Sequence, residues 1–285
     1  MRFYRTAVVI GIVVVLTASI GLADEQTKPI TPQDDVIHLF NGKSLDGFYT
    51  WMQETKYEDP NQVFRVTNGM LHITGNGMGG ILTKEEYHNY HLVLEFRWGL
   101  RTWGNRKKAT MDSGLLIHSQ GDDGGYGGIW MQSIEVQMIE GGCGDFLLVG
   151  NRKKNSVPLS LTCETDRDRD GEVIWKQNGK RETFDLENAR RINWYGRDPD
   201  WKDVIGFRGK QDVESPSGEW NRMDVICDGG HIQVFVNGTK VNEGFDSYPT
   251  HGKIQFQTEM AEVFIRRCDL FPLDKSPQPA KPDPK

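Results

Sequence analysis

Short runs of alternating apolar and polar residues recur along most of the chain, separated by turn residues. Such a period of two indicates half-buried β-strands. The runs are Val36 to Phe40, Val63 to Thr67, Met70 to Thr74, Gly80 to Thr83, His91 to Trp98, Trp220 to Asp228, Ile232 to Asn237, Lys253 to Thr258 and Ala261 to Leu270. Asn68-Gly69 and Asn237-Gly238 are hairpin signals. No long amphipathic helix interrupts the runs, so the sequence predicts an all-β antiparallel sandwich or jelly roll.

The central run, Met131 to Glu140, combines an apolar face with a polar one. Strand alternation places its side chains on two faces, with Ile134, Val136 and Met138 on one and Ser133, Glu135 and Gln137 on the other. Strict alternation would turn Glu140 inward. A one-residue β-bulge between Gln137 and Glu140 would instead bring Glu140 beside Glu135. With that bulge, three hydrogen-bond acceptors are expected on one open surface.

The region 151–218 departs from the alternating pattern because it is charged, aromatic-containing and irregular. We interpret it as a long insertion within a single domain that spans 36–273. Long ordered loops on a rigid scaffold are commonly functional. The last residues, 274–285, are expected to form a disordered tail.

The N-terminus has the layout of an export signal. A basic start is followed by an apolar stretch from Thr6 to Ile20 and by the small residues that end at Ala23. A membrane anchor is the less favoured alternative, since the stretch is short for a span and no basic residues follow it. We expect a signal peptide at 1–23 and an extended leader at 24–35. The mature protein is then secreted or periplasmic and is not inserted in a membrane.

Composition and charge narrow the classes of partner. The 285 residues are 37% hydrophobic and 26% charged, which is typical of a folded soluble protein. The formal net charge is -6, and loss of Arg2 and Arg5 with the signal makes it -8. This charge disfavours nucleic acids and anionic membrane surfaces as partners. Four cysteines allow two disulfides after export, and Cys143 is the first candidate, although the spacing does not define the pairing.

Several motifs resemble those of the 3-keto-disaccharide hydrolase family. The matching stretches, in the family's order, are Leu39 to Gly47, Asp112 to Ile117, Ile134 to Glu140, Glu219 to Arg222, Val236 to Gly238 and Gly252 to Gln257. Together they span roughly Val36 to Leu273. The resemblance implies a concanavalin A-like jelly roll that acts on carbohydrate. Asp112 replaces the family's usual asparagine, and the closing motif keeps only Arg266.

The resemblance also implies lyase and hydratase chemistry on a glycoside oxidised at C3. The ketone acidifies the C2 proton, and removal of that proton lets the group at C1 leave before water adds back. Such a site needs a base, a group that polarises the ketone oxygen and an acid for the leaving oxygen. His118, Glu135 and Glu140 are the candidate bases and acids. Arg97, on the polar face of its run, is the candidate for stabilising the enolate.

Candidate sugar-binding residues surround this central run. The glycine-rich loop from Gly121 to Trp130 is expected to form a lip over the sugar, with Tyr126 and Trp130 as stacking platforms. Gln137 shares the face of Glu135. Asp145 follows the central run at the same rim and is a candidate hydroxyl acceptor, and Arg266 is a further candidate from the family's closing motif.

A divalent cation is a second means of polarising the ketone. The potential ligands are His118, Glu135, Gln137 and Glu140. No ligand spacing in the sequence requires a metal, so the cofactor is left open, as is the oligomeric state.

Two other functions remain open. The spacing of Glu135 and Glu140 is similar to that of the catalytic glutamates in laminarinase-like retaining glycoside hydrolases, although Gln137 replaces the aspartate between them. A non-catalytic carbohydrate-binding or lectin module would need aromatic residues and hydroxyl acceptors but no paired carboxylates.

Overall fold

The computed structural model describes residues 28–153 and 156–282. The predicted signal peptide and the start of the predicted leader lie outside these residues. Neither of the two short 3-10 helices in the described chain, Gly104–Arg106 and Leu273–Lys275, has the length or apolar character that a membrane crossing requires.

Nineteen strands make up the regular structure of the described chain. The first ten are β1 (Ile37–His38), β2 (Phe48–Met52), β3 (Phe64–Thr67), β4 (Met70–Ile73), β5 (Met78–Thr83), β6 (Tyr87–His88), β7 (Tyr90–Thr102), β8 (Asp112–Gln120), β9 (Gln132–Ile139) and β10 (Phe146–Val149). The others are β11 (Ser160–Arg167), β12 (Val173–Trp175), β13 (Lys180–Asp185), β14 (Arg191–Ile192), β15 (Asn221–Asp228), β16 (His231–Val236), β17 (Thr239–Tyr248), β18 (His251–Glu259) and β19 (Ala261–Phe271).

These strands form two antiparallel sheets. The large sheet has eleven strands in the order β12-β11-β17-β16-β15-β7-β19-β4-β3, with β1 beside β19 and β13 beside β11. The small sheet has eight strands in the order β14-β10-β9-β8-β18-β5-β2, with β6 beside β18. The predicted all-β sandwich of two antiparallel sheets is therefore confirmed.

Alternate side chains of the two sheets meet in one apolar core. From β7 of the large sheet come Leu92, Leu94 and Phe96, and from β9 of the small sheet come Ile134 and Val136, all of them fully buried. Because side chains alternate along a strand, this core fixes which residues of each strand point away from it. Polar residues of β9 are thereby placed on the outer face of the small sheet.

The hairpins predicted from the two Asn-Gly pairs are confirmed. Asn68 and Gly69 connect β3 to β4 with φ angles of 53° and 75°. Asn237 and Gly238 connect β16 to β17 with φ angles of 49° and 81°. Positive φ at both central residues suits the right-handed twist of the flanking strands, and asparagine and glycine tolerate it best. Local turn chemistry thus helps to set the register of these pairs.

The insertion 151–218 is more regular than its sequence suggests. Its strand β11 pairs with β17 in the large sheet and with β13, while β14 pairs with β10 in the small sheet. Both sheets are extended by it. Further on, Asp203 accepts hydrogen bonds from the backbone N and Oγ1 of Thr110, at 3.0 and 2.6 Å. The insertion therefore packs against the start of β8.

All four cysteines are buried free thiols. The disulfide suggested for Cys143 is thus not formed. Burial raises the pKa of Cys143 well above its ordinary value, so the thiol stays protonated and unreactive at neutral pH.

The segment predicted as a tail begins along the outer face of the large sheet. Ser276 contacts the His91 ring, and the Gln278 carbonyl oxygen accepts a hydrogen bond from Arg222 Nη2 at 3.3 Å.

Candidate functional site

The outer face of the small sheet carries a cluster of three acidic side chains, Asp112 of β8, Glu135 of β9 and Glu259 of β18. We call it the acidic cluster. Glu135 is 4% exposed and Asp112 is 5% exposed, while Glu259 is partly exposed. Strands β9, β8 and β18 are consecutive neighbours in the sheet, which brings their outward side chains together. As predicted, Glu135 and Gln137 share this face.

A glycine makes the close approach of the side chains possible. A Cβ atom at Gly114 of β8 would lie 2.2 Å from Glu135 Oε1 and 2.4 Å from Gln257 Oε1. Any larger residue would displace both side chains. Gly114 therefore creates the space above β8 in which the Glu135 carboxyl group lies.

Burial disfavours the charged form of every member of the acidic cluster. It raises the pKa of Glu135 well above its ordinary value, and the charges of Glu259 and Asp112 raise it further. Burial also raises the pKa of Asp112 to about 7, against the lowering effect of Arg106. The pKa of Glu259 is raised to about 8 by burial and by Asp112. Neighbouring carboxyl groups of this kind share protons and cannot all ionise at neutral pH.

Two arginines provide positive charge beside the acidic cluster. Arg106 Nη2 lies 2.7 Å from Asp112 Oδ2. Arg191 of β14 lowers the pKa of Glu135 and of Asp112 through its charge. A cluster with a raised-pKa base, protonated acids and adjacent cations can move protons and stabilise a developing negative charge.

Asp145 holds arginines rather than facing a sugar. Its side chain is fully buried, and one oxygen, Oδ2, contacts both Arg191 and Arg197. The other oxygen accepts a hydrogen bond from the Trp194 backbone N at 2.6 Å. The carboxylate, predicted as a hydroxyl acceptor at the rim, is thus occupied by partners from the insertion.

The glycine-rich loop covers part of the same outer face, as the sequence suggests. Trp130 packs with Leu116 and Val149, and its Nε1 donates to the Gly79 carbonyl oxygen at 2.8 Å. The Tyr126 ring lies parallel to that of Trp130, with centroids 6.4 Å apart. Trp130 is 9% exposed. It therefore fastens the loop to the sheet, and Tyr126 is the more accessible ring of the two.

His118 lies away from the acidic cluster. The strand β8 changes register after Ile117, and His118 has a φ of 53° and is fully buried. Its Nδ1 donates to the Pro249 carbonyl oxygen at 3.0 Å, and its ring packs edge-on to Tyr90 of the large sheet. Burial lowers the pKa of His118 to about 3. The structure therefore places this histidine in the interior between the sheets.

Glu140 also lies apart from the acidic cluster. The register between β8 and β9 is regular from Asp112 opposite Ile139 to Ile117 opposite Ile134, so the bulge predicted before Glu140 is absent. Glu140 Oε2 instead accepts hydrogen bonds from the backbone N atoms of Met111 and Gly206, each at 2.9 Å.

Backbone amides from two loops thus donate hydrogen bonds to the Glu140 carboxylate at the strand end. The carboxylate is therefore paired without a bulge in β9. There it lines a separate cavity of about 250 Å³ together with Trp98, Arg208 and Glu214.

Arg97 and Arg266 lie on the outer face of the large sheet, across the core from Glu135. The Arg97 guanidinium lies 4.7 Å from the Phe264 ring centroid and 5.3 Å from that of Trp220. Arg266 Nε donates to Glu95 Oε2 at 2.6 Å. Alternation along β7 correctly predicts that Arg97 points away from the core. However, β7 belongs to the large sheet, whereas Glu135 belongs to the small sheet. Neither arginine is brought together with the acidic cluster.

The four side chains proposed as metal ligands do not converge, because His118 and Glu140 lie away from Glu135 and Gln137. Within residues 28–153 and 156–282, no group of three or more His, Cys, Asp or Glu side chains is arranged to hold a metal ion. The side chains named as potential ligands therefore do not form a site for a divalent cation.

The site includes residues that the sequence did not predict to be functional. They are Asp112, Gln257, Glu259, Arg106 and Arg191. Alternation in the run Lys253 to Thr258 places Gln255 and Gln257 on one face, and Glu259 joins them only if the strand continues by one residue. What joins them to Glu135 is the pairing of β8 with both β9 and β18, which a short-range pattern does not reveal.

The raised carboxyl pKa values predict how stability depends on pH. Asp112 and Glu259 keep their protons in the folded state at pH values where the unfolded chain has lost them, and so does Glu214, whose pKa burial raises to about 8. This stability is complete below about pH 4 and is lost as the pH rises through the folded-state values. We expect the melting temperature to fall between pH 6.5 and pH 8.5.

Calorimetry at the two pH values measures this fall. The double variant Glu214→Gln/Glu259→Gln removes two of the titrating groups and should melt with a smaller pH dependence. A melting temperature that is constant or rises over this range in the unaltered protein would contradict the placement of these carboxyl groups.

Comparison with known proteins gives one sequence family. The 3-keto-α-glucoside-1,2-lyase-like domain matches residues 35–270. Among curated protein sequences none matches the chain.

Solved structures with similar folds include two candidate glycosyl hydrolases from Parabacteroides distasonis ATCC 8503. The first is 19% identical, with a TM-score of 0.47 over 84% of this chain and 94% of the other. The second is 21% identical, with a TM-score of 0.46 over 84% of this chain and 100% of the other. A carbohydrate-binding module from Bacillus subtilis is 9% identical, with a TM-score of 0.40 over 78% of this chain and 94% of the other.

Proposed function

Since the chain belongs to the 3-keto-α-glucoside-1,2-lyase-like family, we propose that it cleaves 3-keto-glycosides at the acidic cluster on the outer face of the small sheet. Family membership supports a carbohydrate-active protein, and the proposed chemistry is the elimination and hydration that a C3 ketone permits. The partner is then an oxidised glycoside.

Glu135 is the proposed base. Its ionised carboxylate takes the proton from C2, and the electron pair of the C–H bond forms an enolate with the C3 ketone. A carboxylate whose pKa lies above its ordinary value is a stronger base once ionised, which suits the removal of a proton from carbon. Arg191, whose charge lowers the pKa of Glu135, replaces Arg97 as the group proposed to stabilise the enolate oxygen.

Collapse of the enolate restores the ketone, forms a double bond between C1 and C2 and expels the group at C1. A protonated carboxyl group of Asp112 or Glu259 donates the proton that the leaving oxygen needs, since both have pKa values of about 7 to 8. Water then adds to C1 and gives a proton to the carboxylate left on Asp112 or Glu259. Glu135, whose proton exchanges with water after the leaving group departs, returns a proton to C2. The net result is hydrolysis, with every proton accounted for within the acidic cluster.

One observation carries the proposal: three carboxyl groups with raised pKa values lie together beside two arginines on one sheet face. A retaining hydrolase of the laminarinase type would use Glu135 and Glu140 as a close pair. Glu140 is instead held by two backbone amides at the strand end, which disfavours that pair. A lectin would have no use for buried acidic groups with raised pKa values.

The test is turnover by the purified chain without its predicted signal. We expect cleavage of methyl 3-keto-glucosides, of one anomer or both, and no cleavage of the same glucosides before oxidation. The released 3-keto-glucose can be followed by NMR. Cleavage of unoxidised β-glucan would favour the glycosidase alternative, and binding without turnover of either substrate would favour the lectin.

A further inference from the structure

Strand β18 presents two glutamines on the outer face of the small sheet that the proposed chemistry does not use. Gln255 is fully buried and Gln257 is 1% exposed. Yet Gln255 Nε2 and Gln257 Oε1 have no hydrogen-bond partner within the described chain. Buried polar groups are nearly always paired, because an unpaired one has lost its bonds to water without replacement. These two atoms therefore point to a ligand.

A backbone contact defines the hydrogen-bonding role of the free Gln255 atom. Gln255 Oε1 accepts a hydrogen bond from the Met131 backbone N at 3.2 Å, so the amide is oriented with Nε2 as a free donor. Asp112 adds a further unpaired oxygen, because its Oδ1 is buried without a partner while Oδ2 lies 2.7 Å from Arg106 Nη2. One free donor and two free oxygen atoms thus lie on the face that carries Glu135.

Two glycines allow these side chains to lie close to the backbone of the neighbouring strands. A Cβ atom at Gly80 would lie 2.0 Å from Gln255 Nε2, and one at Gly114 would lie 2.4 Å from Gln257 Oε1. Gly80 belongs to β5 and Gly114 to β8, the strands on either side of β18. The free atoms are therefore spread over two strand spacings, about 10 Å. This width suits one pyranose ring with its hydroxyl groups.

Resting on the proposed function, we infer that Gln255 and Gln257 bind ring hydroxyl groups of the sugar and make the site specific for a hydroxylated pyranoside. A hydroxyl group both donates and accepts hydrogen bonds, so one ring can satisfy the free donor and the free oxygen atoms together. Gln257 meets Glu135 above Gly114 and therefore contacts the ring next to the reacting carbon. Gln255 contacts the side of the ring that faces β5.

Gln257→Leu tests this inference in the Glu135→Gln background, which binds substrate without turning it over. Calorimetric titration with methyl 3-keto-glucoside is expected to show about tenfold weaker binding, the loss of one net hydrogen bond. The ligand-free variant should melt at the same temperature or higher, because leucine removes an unpaired buried polar group. If Gln257 had only a structural role, its replacement by leucine would lower the melting temperature. Gln177→Leu, at an exposed turn between β12 and β13, is the matched control.

Unchanged affinity in Gln257→Leu would overturn the inference, whatever the melting temperature of the variant. If that variant does not fold, deoxy analogues of the ligand decide, since the Glu135→Gln protein should prefer the hydroxylated ring to its 4-deoxy and 6-deoxy forms. Equal binding of all three would also overturn it. Failure of the proposed function can be distinguished from failure of this inference. In that case no 3-keto-glycoside is turned over, while binding of unoxidised methyl glucoside still depends on Gln257.

Discussion

Glu135→Gln is expected to lower kcat/KM for a 3-keto-glycoside by about 10² to 10⁴-fold, the usual contribution of a positioned general base. Glutamine has nearly the same shape as glutamate and can occupy the space above Gly114, but it cannot take the C2 proton. Burial already favours the uncharged form of Glu135, so the neutral replacement should not destabilise the fold. Steady-state kinetics together with a melting curve check both expectations.

Two further glutamates serve as controls for this variant. Glu219→Gln changes an exposed residue and should leave turnover unaltered. Glu140→Gln keeps a side-chain oxygen that can accept from the amides of Met111 and Gly206, so activity should stay within a few-fold of the unaltered protein. If Glu140→Gln abolishes turnover while Glu135→Gln does not, Glu135 is not the base.

Asp145→Ala is expected to lower the free energy of unfolding by about 3 kcal/mol or more, because it leaves buried positive charge without its partner. Asp145 and Arg197 are both buried, and Arg191 is partly exposed. The variant also removes the acceptor for the Trp194 backbone N. For a domain of this size, the melting temperature should fall by roughly 10 °C. Calorimetry or urea denaturation measures the loss.

The origin of that loss can be tested with a second substitution. In the double variant Asp145→Ala/Arg197→Met the unpaired cation is removed as well, so part of the lost stability should return. Asp228→Ala, at the exposed end of β15, is the matched control. A change of less than 1 kcal/mol in Asp145→Ala would contradict the structural role and restore Asp145 as a candidate for binding sugar.

Short-range patterns predicted many of the strands and part of the site. Period-two alternation was enough to place Glu135 and Gln137 on one face of β9, because the apolar residues between them must enter the core. The Asn-Gly turns identified two hairpins, since the φ angles that those turns need suit few other residues. The strands of the insertion were harder to predict because β11 and β13 carry many charged residues.

The remaining site residues depend on contacts between distant parts of the chain. Alternation shows that Arg97 points away from the core, but not that β7 belongs to the sheet opposite Glu135. His118 points inward at an irregularity of β8, and no residue pattern predicts that irregularity. Conversely, Glu259 reaches Asp112 only because β18 pairs with β8. Strand order, not the composition of single strands, decides which acidic groups meet.

The fate of the hydrogen at C2 tests the central claim most directly. When a methyl 3-keto-glucoside is cleaved in D₂O, proton removal followed by hydration should leave one deuterium at C2 of the released 3-keto-glucose, above the exchange seen without enzyme. NMR and mass spectrometry measure this label, which should appear at the rate of turnover and vanish in Glu135→Gln. Turnover that yields 3-keto-glucose with its original C2 hydrogen would contradict the account.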